Sequence, residues 1–180
     1  MRSKGMNSHS ILLCVLCLFL PVLLNSQTVQ HSQQTASARL FVQRFYDWYA
    51  PLANRVNKEP SSDIAIRIKP ALFDNKLLTA LKEDSAAQDK EPGSIVGLDF
   101  DPFLNTQDPC DRYRVGKIDK RGDSYFVEIY GSRNGIKSEV PNVIAEIARK
   151  NNTWIFVNFH YSYSSGDLLS VLSALKQQRN

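Results

Sequence analysis

Cysteine and histidine are scarce in this chain, which has three of each among 180 residues. Two of the cysteines and two of the histidines lie within the first 31 residues. The rest of the chain holds only Cys110 and His160. It therefore has no partner for an internal disulfide and too few ligands for a Cys/His zinc site. We expect no metal site and no cofactor.

Glycine-rich motifs are absent as well. The eight glycines are dispersed singly, so no phosphate-binding loop is present, and no G-x-S-x-G sequence marks a nucleophile elbow. Positive charge is also limited. Residues 1–26 hold two of the 22 basic residues and none of the 18 acidic ones, which leaves a net charge of +2 on the remainder. Nucleic-acid binding requires a stronger basic field, so we expect no nucleic-acid partner.

The N-terminus has the pattern of a cleavable signal sequence. Arg2 and Lys4 precede the apolar run from Ile11 to Leu24, which is too short to span a bilayer comfortably. Leucine precedes both cysteines of this run, whereas a lipobox requires a small residue there. We therefore predict a signal peptide over residues 1–26, a periplasmic or secreted location, and no stable membrane span after cleavage.

The following residues divide into a tether and one domain. Residues 27–37 are rich in Gln, Ser and Thr, which is typical of a flexible polar tether. Residues 38–180 have the length and apolar content of a single domain with one core. Apolar spacing predicts a helix over residues 38–53, and Asp74 is placed to cap a second helix.

Four strand candidates follow these helices, separated by Gly- and Asn-containing turns that are typical of hairpins. They are Tyr113–Asp119, Ser124–Tyr130, Ser138–Arg149 and Thr153–Tyr161. A last helix would have Ser164 or Ser165 as its cap. The order predicts an α+β fold, in which a curved antiparallel four-stranded meander packs on N-terminal helices and is followed by a C-terminal helix.

The most distinctive segment is Asp99–Asp111, which concentrates carboxylates and amides in 13 residues. Asp and Asn in loops commonly form turns with their own backbone, which is the first interpretation. A calcium site is a second, although the glycines of an EF-hand loop are missing. A ligand or partner surface is the third, with Asp99, Asp101, Gln107 and Asp108 as its candidate contacts.

His160 is a candidate for general acid–base chemistry. It would need a carboxylate partner such as Asp99, Asp101 or Glu128. Strand alternation predicts that Ile155, Val157, Phe159 and Tyr161 face the core. His160 then lies on the other face of the last strand.

Three segments together resemble a family of secreted bacterial proteins, domain of unknown function 3828. They are F-x-x-x-F-Y-x-W-Y at 41–49, L-D-F-D-P-F-x-x-x-Q-D at 98–108, and Trp154-Ile155 followed by D-L-L-S-x-L at 167–172. The resemblance implies a cystatin-like fold similar to nuclear transport factor two, in which a sheet cups a long helix. The family has no established activity, so the resemblance implies no catalytic residue.

These observations favour an exported, non-catalytic binding module of the cell envelope. Its ligand or protein partner would contact Trp48, His160 and the Asp99–Asp111 segment. One alternative is a small hydrolase or isomerase that uses His160 with a carboxylate inside the cup of the sheet. Another is an immunity or inhibitor protein for a secreted toxin. The sequence leaves open whether the chain forms a homodimer.

Overall fold

The computed structural model describes residues 10–162 and 166–179, with side chains from residue 29 onward. The chain divides between Ser37 and Ala38 into two compact units. The first nine residues of the predicted signal peptide lie outside the described residues. So do Ser164 and Ser165, the predicted caps of the last helix.

Four α-helices occur in the described part of the chain: α1 (Ser10–Ala53), α2 (Ser61–Ile68), α3 (Asn75–Lys90) and α4 (Leu168–Gln178). Helix α1 includes residues 27–37, for which a flexible tether was predicted, and no glycine or proline lies between Val22 and Ala50 to interrupt it. Among residues 10–162 and 166–179, no helix combines the length and the apolar character that crossing a membrane requires.

The sheet contains β1 (Arg112–Arg121), β2 (Ser124–Arg133), β3 (Ile136–Lys137), β4 (Val143–Lys150) and β5 (Thr153–His160). The long strands are antiparallel in the order β1-β2-β4-β5, and the two-residue β3 pairs with the end of β2. The predicted α+β class and antiparallel meander are thus confirmed. The strand predicted over residues 138–149 was too long, because Pro141 lies in a loop before β4.

Two hairpin turns have the left-handed backbone that their sequences predict. Asn134 and Gly135 have φ angles of 51° and 80°, and Asn151 and Asn152 have φ angles of 50° and 63°. Two consecutive residues at positive φ make the type I′ turn, whose twist matches that of the flanking strands. The turn chemistry therefore fixes the connections from β2 to β3 and from β4 to β5.

Aromatic rings fill the space between α1 and the sheet. The Phe45 ring lies 4.8 Å from that of Phe156, and the Phe103 ring lies 5.0 Å from that of Phe159. Phe103, Phe156 and Phe159 are fully buried, and Phe45 nearly so. This cluster occupies the cup of the sheet, where the sequence analysis placed the site of the hydrolase or isomerase alternative.

A bulge in β5 changes which of its residues face the core. Glu146 pairs with Asn158 and Ile147 pairs with Phe156, so Val157 is the extra residue. Phe156 and Phe159 therefore both lie in the core, although strict alternation assigned them to opposite faces. The predicted core position of Val157 was wrong, because alternation holds only in a strand without a bulge.

The outer edge of β1 is covered by polar side chains of α1. The amide of Gln43 donates from Nε2 to the Tyr113 carbonyl at 3.0 Å and accepts at Oε1 from the Val115 N–H at 3.0 Å. Arg39 donates to the Val115 and Gly116 carbonyls at 2.9 and 2.8 Å. These bonds replace those of a neighbouring strand and block the pairing of another chain at this edge.

Replacing Gln43 by Ala should therefore lower the free energy of unfolding by about 1–3 kcal/mol, because a donor and an acceptor of β1 lose their partners. It should also increase aggregation at high protein concentration. Urea denaturation and light scattering measure the two effects. Gln177, an exposed α4 residue, supplies the matched Gln→Ala control. Equal stability of the two variants would contradict this role of Gln43.

Candidate functional site

The loop between α3 and β1 is anchored to the core by tyrosine hydroxyls. Tyr46 donates to the Phe103 carbonyl at 2.8 Å, and Tyr161 donates to the Pro102 carbonyl at 3.0 Å. The Tyr113 hydroxyl accepts from the Cys110 N–H at 3.0 Å. Burial raises the pKa of all three tyrosines, so their hydroxyl groups remain protonated. The middle of this loop and its end before β1 are therefore fixed.

Asp101 points inward and organises the loop. Its Oδ2 accepts from the Tyr49 hydroxyl at 2.6 Å, and its Oδ1 accepts from the N–H groups of Phe103 and Leu104 at 2.9 and 3.2 Å. Burial raises the pKa of Asp101 to about 6, although these hydrogen bonds oppose the shift. Asp101 thus forms the turn that the first interpretation of the segment predicted.

Asp99 and Gln107 point outward from the same loop and line a cleft of about 490 Å³. The Gln107 amide donates to the Asp99 carbonyl at 2.7 Å, which holds the two ends of the turn together. The opposite wall comes from α2 and α3, which contribute Asp63, Ser85 and Asp89. The cleft therefore joins the predicted segment to two helices that the sequence did not connect with it.

The cleft is strongly acidic. Five of its lining residues are aspartates, and none is Lys, Arg or His; the aspartates are Asp63, Asp84, Asp89, Asp99 and Asp101. Burial raises the pKa of Asp63, and repulsion from Asp89, Glu59 and Asp84 adds to the rise. Carboxylates that repel one another are stabilised by an incoming cation. The chemistry of the cleft therefore favours a positively charged ligand.

Apolar residues form the remainder of the lining. Leu98 and Phe100 are half-buried, and Ile95 is 77% exposed at the rim. A site with both carboxylates and apolar surface suits a cation on an aliphatic stem, as in the side chains of lysine and arginine.

Asp84 fixes the inner wall of the cleft. Its Oδ1 forms an ion pair with Arg179 at 2.5 Å, and its Oδ2 accepts from the Leu98 N–H at 2.8 Å. Arg179 also donates to the Val96 carbonyl at 2.8 Å. The end of α4 is thus bonded to the segment that leads into the Asp99 loop, and the charge of Asp84 is already neutralised.

Asp108 lies on the outside of the loop, beyond the residues that line the cleft. Its carboxylate pairs with Arg133 at 2.6 Å, and Arg133 also donates to the Asp108 and Pro109 carbonyls. Asp108 therefore connects the loop to the hairpin of β2 and β3.

Trp48 and His160 lie apart from the cleft lining. Trp48 is half-buried on α1 beside Phe45, with the Lys69 ammonium 4.8 Å from its ring centroid. His160 lies on the sheet face opposite the aromatic core, 5.2 Å from the Phe126 ring. The structure therefore does not bring the six candidate contacts together in one site.

The carboxylate beside His160 is Glu146, and not one of the acids considered from sequence. His160 Nε2 lies 2.9 Å from Glu146 Oε2, and the Ser124 hydroxyl donates to Glu146 Oε1 at 2.8 Å. His160 and Ser124 each contact the Glu146 carboxylate. A serine nucleophile would instead have to contact the histidine that activates it. This arrangement stabilises the sheet surface and lacks the geometry of a nucleophile with its base.

Among the described residues, no three Asp, Glu, His or Cys side chains come together in a way that could hold a metal ion. The five aspartates instead surround an open cleft. Sequence analysis missed Asp63, Asp84 and Asp89. The spacing of residues on α3 could have revealed this polar helix face. Two pairs there are four residues apart, Asp84 with Gln88 and Ser85 with Asp89.

The chain matches no family model and no curated protein, so the family membership inferred from its motifs stays a prediction. It is similar to a solved protein of unknown function from Bacteroides thetaiotaomicron, with a TM-score of 0.54 and 14% identity over 76% of this chain and 98% of that chain. It also matches a chain of the type VI effector–immunity complex Tae3–Tai3 from Ralstonia pickettii. That match has a TM-score of 0.49 and 20% identity, and covers 72% of this chain and 99% of that chain. The likeness to the Bacteroides protein shows a shared fold.

Proposed function

We propose that the chain is an exported binding module whose acidic cleft holds a basic side chain of a protein partner. The observation that carries this proposal is the cleft lining, which has five aspartates and no basic residue. Asp89 and Asp99 are exposed and have no ion-pair partner among the described residues. Their charge is therefore available to a partner.

Replacing Asp89 and Asp99 together by Asn should weaken binding of a basic probe, because two ion pairs are lost while the shape of the cleft is kept. The probe is a fluorescent peptide of alternating Arg and Gly, titrated in a fluorescence-anisotropy assay. At low salt we expect affinity to fall about 3- to 10-fold. The difference should shrink at 1 M salt, where charges are screened.

A double variant, Asp123→Asn with Glu139→Gln, controls for net charge, because both residues are exposed and absent from the cleft lining. It should bind the peptide within about twofold of the original protein. If both double variants weaken binding equally, the peptide senses overall charge and the cleft is not its site. A peptide with Gln in place of Arg should not bind.

An immunity or inhibitor role against a secreted toxin is a stricter form of this proposal. The fixed loop favours it, since the hydroxyls of Tyr46 and Tyr161 and the carboxylate of Asp101 hold the cleft wall before any partner arrives. Preorganised surfaces lose less entropy on binding and support tight complexes. If the chain is an immunity or inhibitor protein, crosslinking of intact cells should yield one secreted protein in stoichiometric amount. A binding module of low specificity would instead capture several proteins.

A further inference from the structure

We propose that the partner segment is bipolar, with a basic residue in the acidic cleft and an acidic residue in a second concavity beside it. This inference rests on the proposed function and names the chemistry of its partner. The second concavity has a volume of about 490 Å³ and lies between α2 and α3. It shares Pro60, Asp63, Ser85 and Asp89 with the acidic cleft, so the two adjoin along a common rim.

The charge of the lining changes across this rim. Beyond the shared residues, the second concavity is lined by Lys58, Arg67 and Lys82, and by the single acid Glu59. Arg67 is already paired with Glu59. Lys58 and Lys82 are exposed and have no ion-pair partner among the described residues. An anion held away from the shared Asp63 and Asp89 would therefore meet two free ammonium groups in the second concavity.

Opposite charges on adjoining concavities select both the partner and its orientation. An extended segment that crosses the rim would place its cation against Asp89 and Asp99 and its anion against Lys58 and Lys82. A uniformly basic segment can bind Asp89 and Asp99 but is repelled by Lys58 and Lys82. Such repulsion between like charges disfavours a wrong partner. The pair of concavities thus distinguishes a bipolar segment from a polycation of similar length.

Three fluorescent peptides test this inference on the whole protein. The bipolar peptide has two Arg and two Glu joined by a Gly/Ser spacer of three to six residues. The all-Arg peptide has Arg in place of Glu, and the all-Glu peptide has Glu in place of Arg. We expect the bipolar peptide to bind most tightly. The double variant Lys58→Gln with Lys82→Gln should weaken the bipolar peptide about 3- to 10-fold and strengthen the all-Arg peptide. Replacing exposed Lys120 and Lys137 by Gln is the matched control.

The outcomes separate the two proposals. If the all-Arg peptide binds through Asp89 and Asp99 while the change at Lys58 and Lys82 leaves the bipolar peptide unaffected, the bipolar inference is wrong and the proposed function stands. The bipolar inference is also wrong, and the proposed function stands, if the all-Arg peptide binds as tightly as the bipolar peptide. If no peptide binds in a manner that depends on the aspartates, both proposals fail.

Discussion

Replacing Arg179 by Ala should lower the free energy of unfolding by about 3–5 kcal/mol, because it leaves Asp84 buried without its cation. The side chains of Arg179 and Asp84 are only 18% and 7% exposed, so water cannot readily replace the lost guanidinium. Urea denaturation followed by circular dichroism measures the change.

Lys176 provides a matched control on the same helix. Its ion pair with Glu83 spans 2.8 Å, but the two side chains are 56% and 48% exposed. Replacing Lys176 by Ala should therefore cost less than about 1 kcal/mol. A double variant, Arg179→Ala with Asp84→Asn, should lose less stability than the sum of the single variants, because the unpaired charge is removed. Equal losses for Arg179→Ala and Lys176→Ala would show that the Asp84 pair has no special role.

Local signals in the sequence predicted much of the fold. Asp74 was expected to cap a helix, and its Oδ1 accepts from the Lys76 N–H at 2.9 Å at the start of α3. The cap of α4 was misassigned to Ser164 or Ser165. The structure has Asp167 there, whose Oδ1 accepts from the Ser170 N–H at 3.1 Å. Asp and Ser have nearly equal preference for the cap position, so sequence alone could not choose between neighbouring candidates.

The candidate site depended on contacts between distant parts of the chain, which local patterns do not encode. Asp99 and Asp101 are two residues apart and both border the cleft, yet Asp99 is exposed whereas Asp101 bonds to Tyr49, 52 positions earlier. The cleft exists only because α2 and α3 pack beside the loop. The partner of His160 could not be predicted either, since it depends on the pairing of β4 with β5.

Replacing Asp101 by Ala should cost about 3 kcal/mol of stability, because the N–H groups of Phe103 and Leu104 and the Tyr49 hydroxyl all lose their acceptor inside the protein. Asp101→Asn keeps an amide oxygen for the two N–H groups, so it should cost no more than about 1 kcal/mol. Asp99→Ala, in the same loop but exposed, should change stability by less than about 0.5 kcal/mol. A similar loss from Asp99→Ala and Asp101→Ala would contradict the division of the loop into a structural and a binding residue.

The pH dependence of stability tests the buried charge itself. The pKa of Asp101 is about 6 in the folded protein, above its ordinary value near 3.8, so the folded state binds a proton more tightly than the unfolded chain does. The stabilising contribution of this proton is complete below pH 3.8 and is lost as the pH rises through 6. The wild-type protein should therefore gain roughly 2.5 kcal/mol relative to Asp101→Asn between pH 7 and pH 4. Asp167 acts in the opposite sense: partial burial tends to raise its pKa, but hydrogen bonds from Asn158 and Ser170 lower it overall. Because Asp167 is present in both proteins, its contribution cancels in the comparison. Parallel pH profiles of stability for the wild-type protein and Asp101→Asn would show that Asp101 does not titrate between about pH 4 and pH 7.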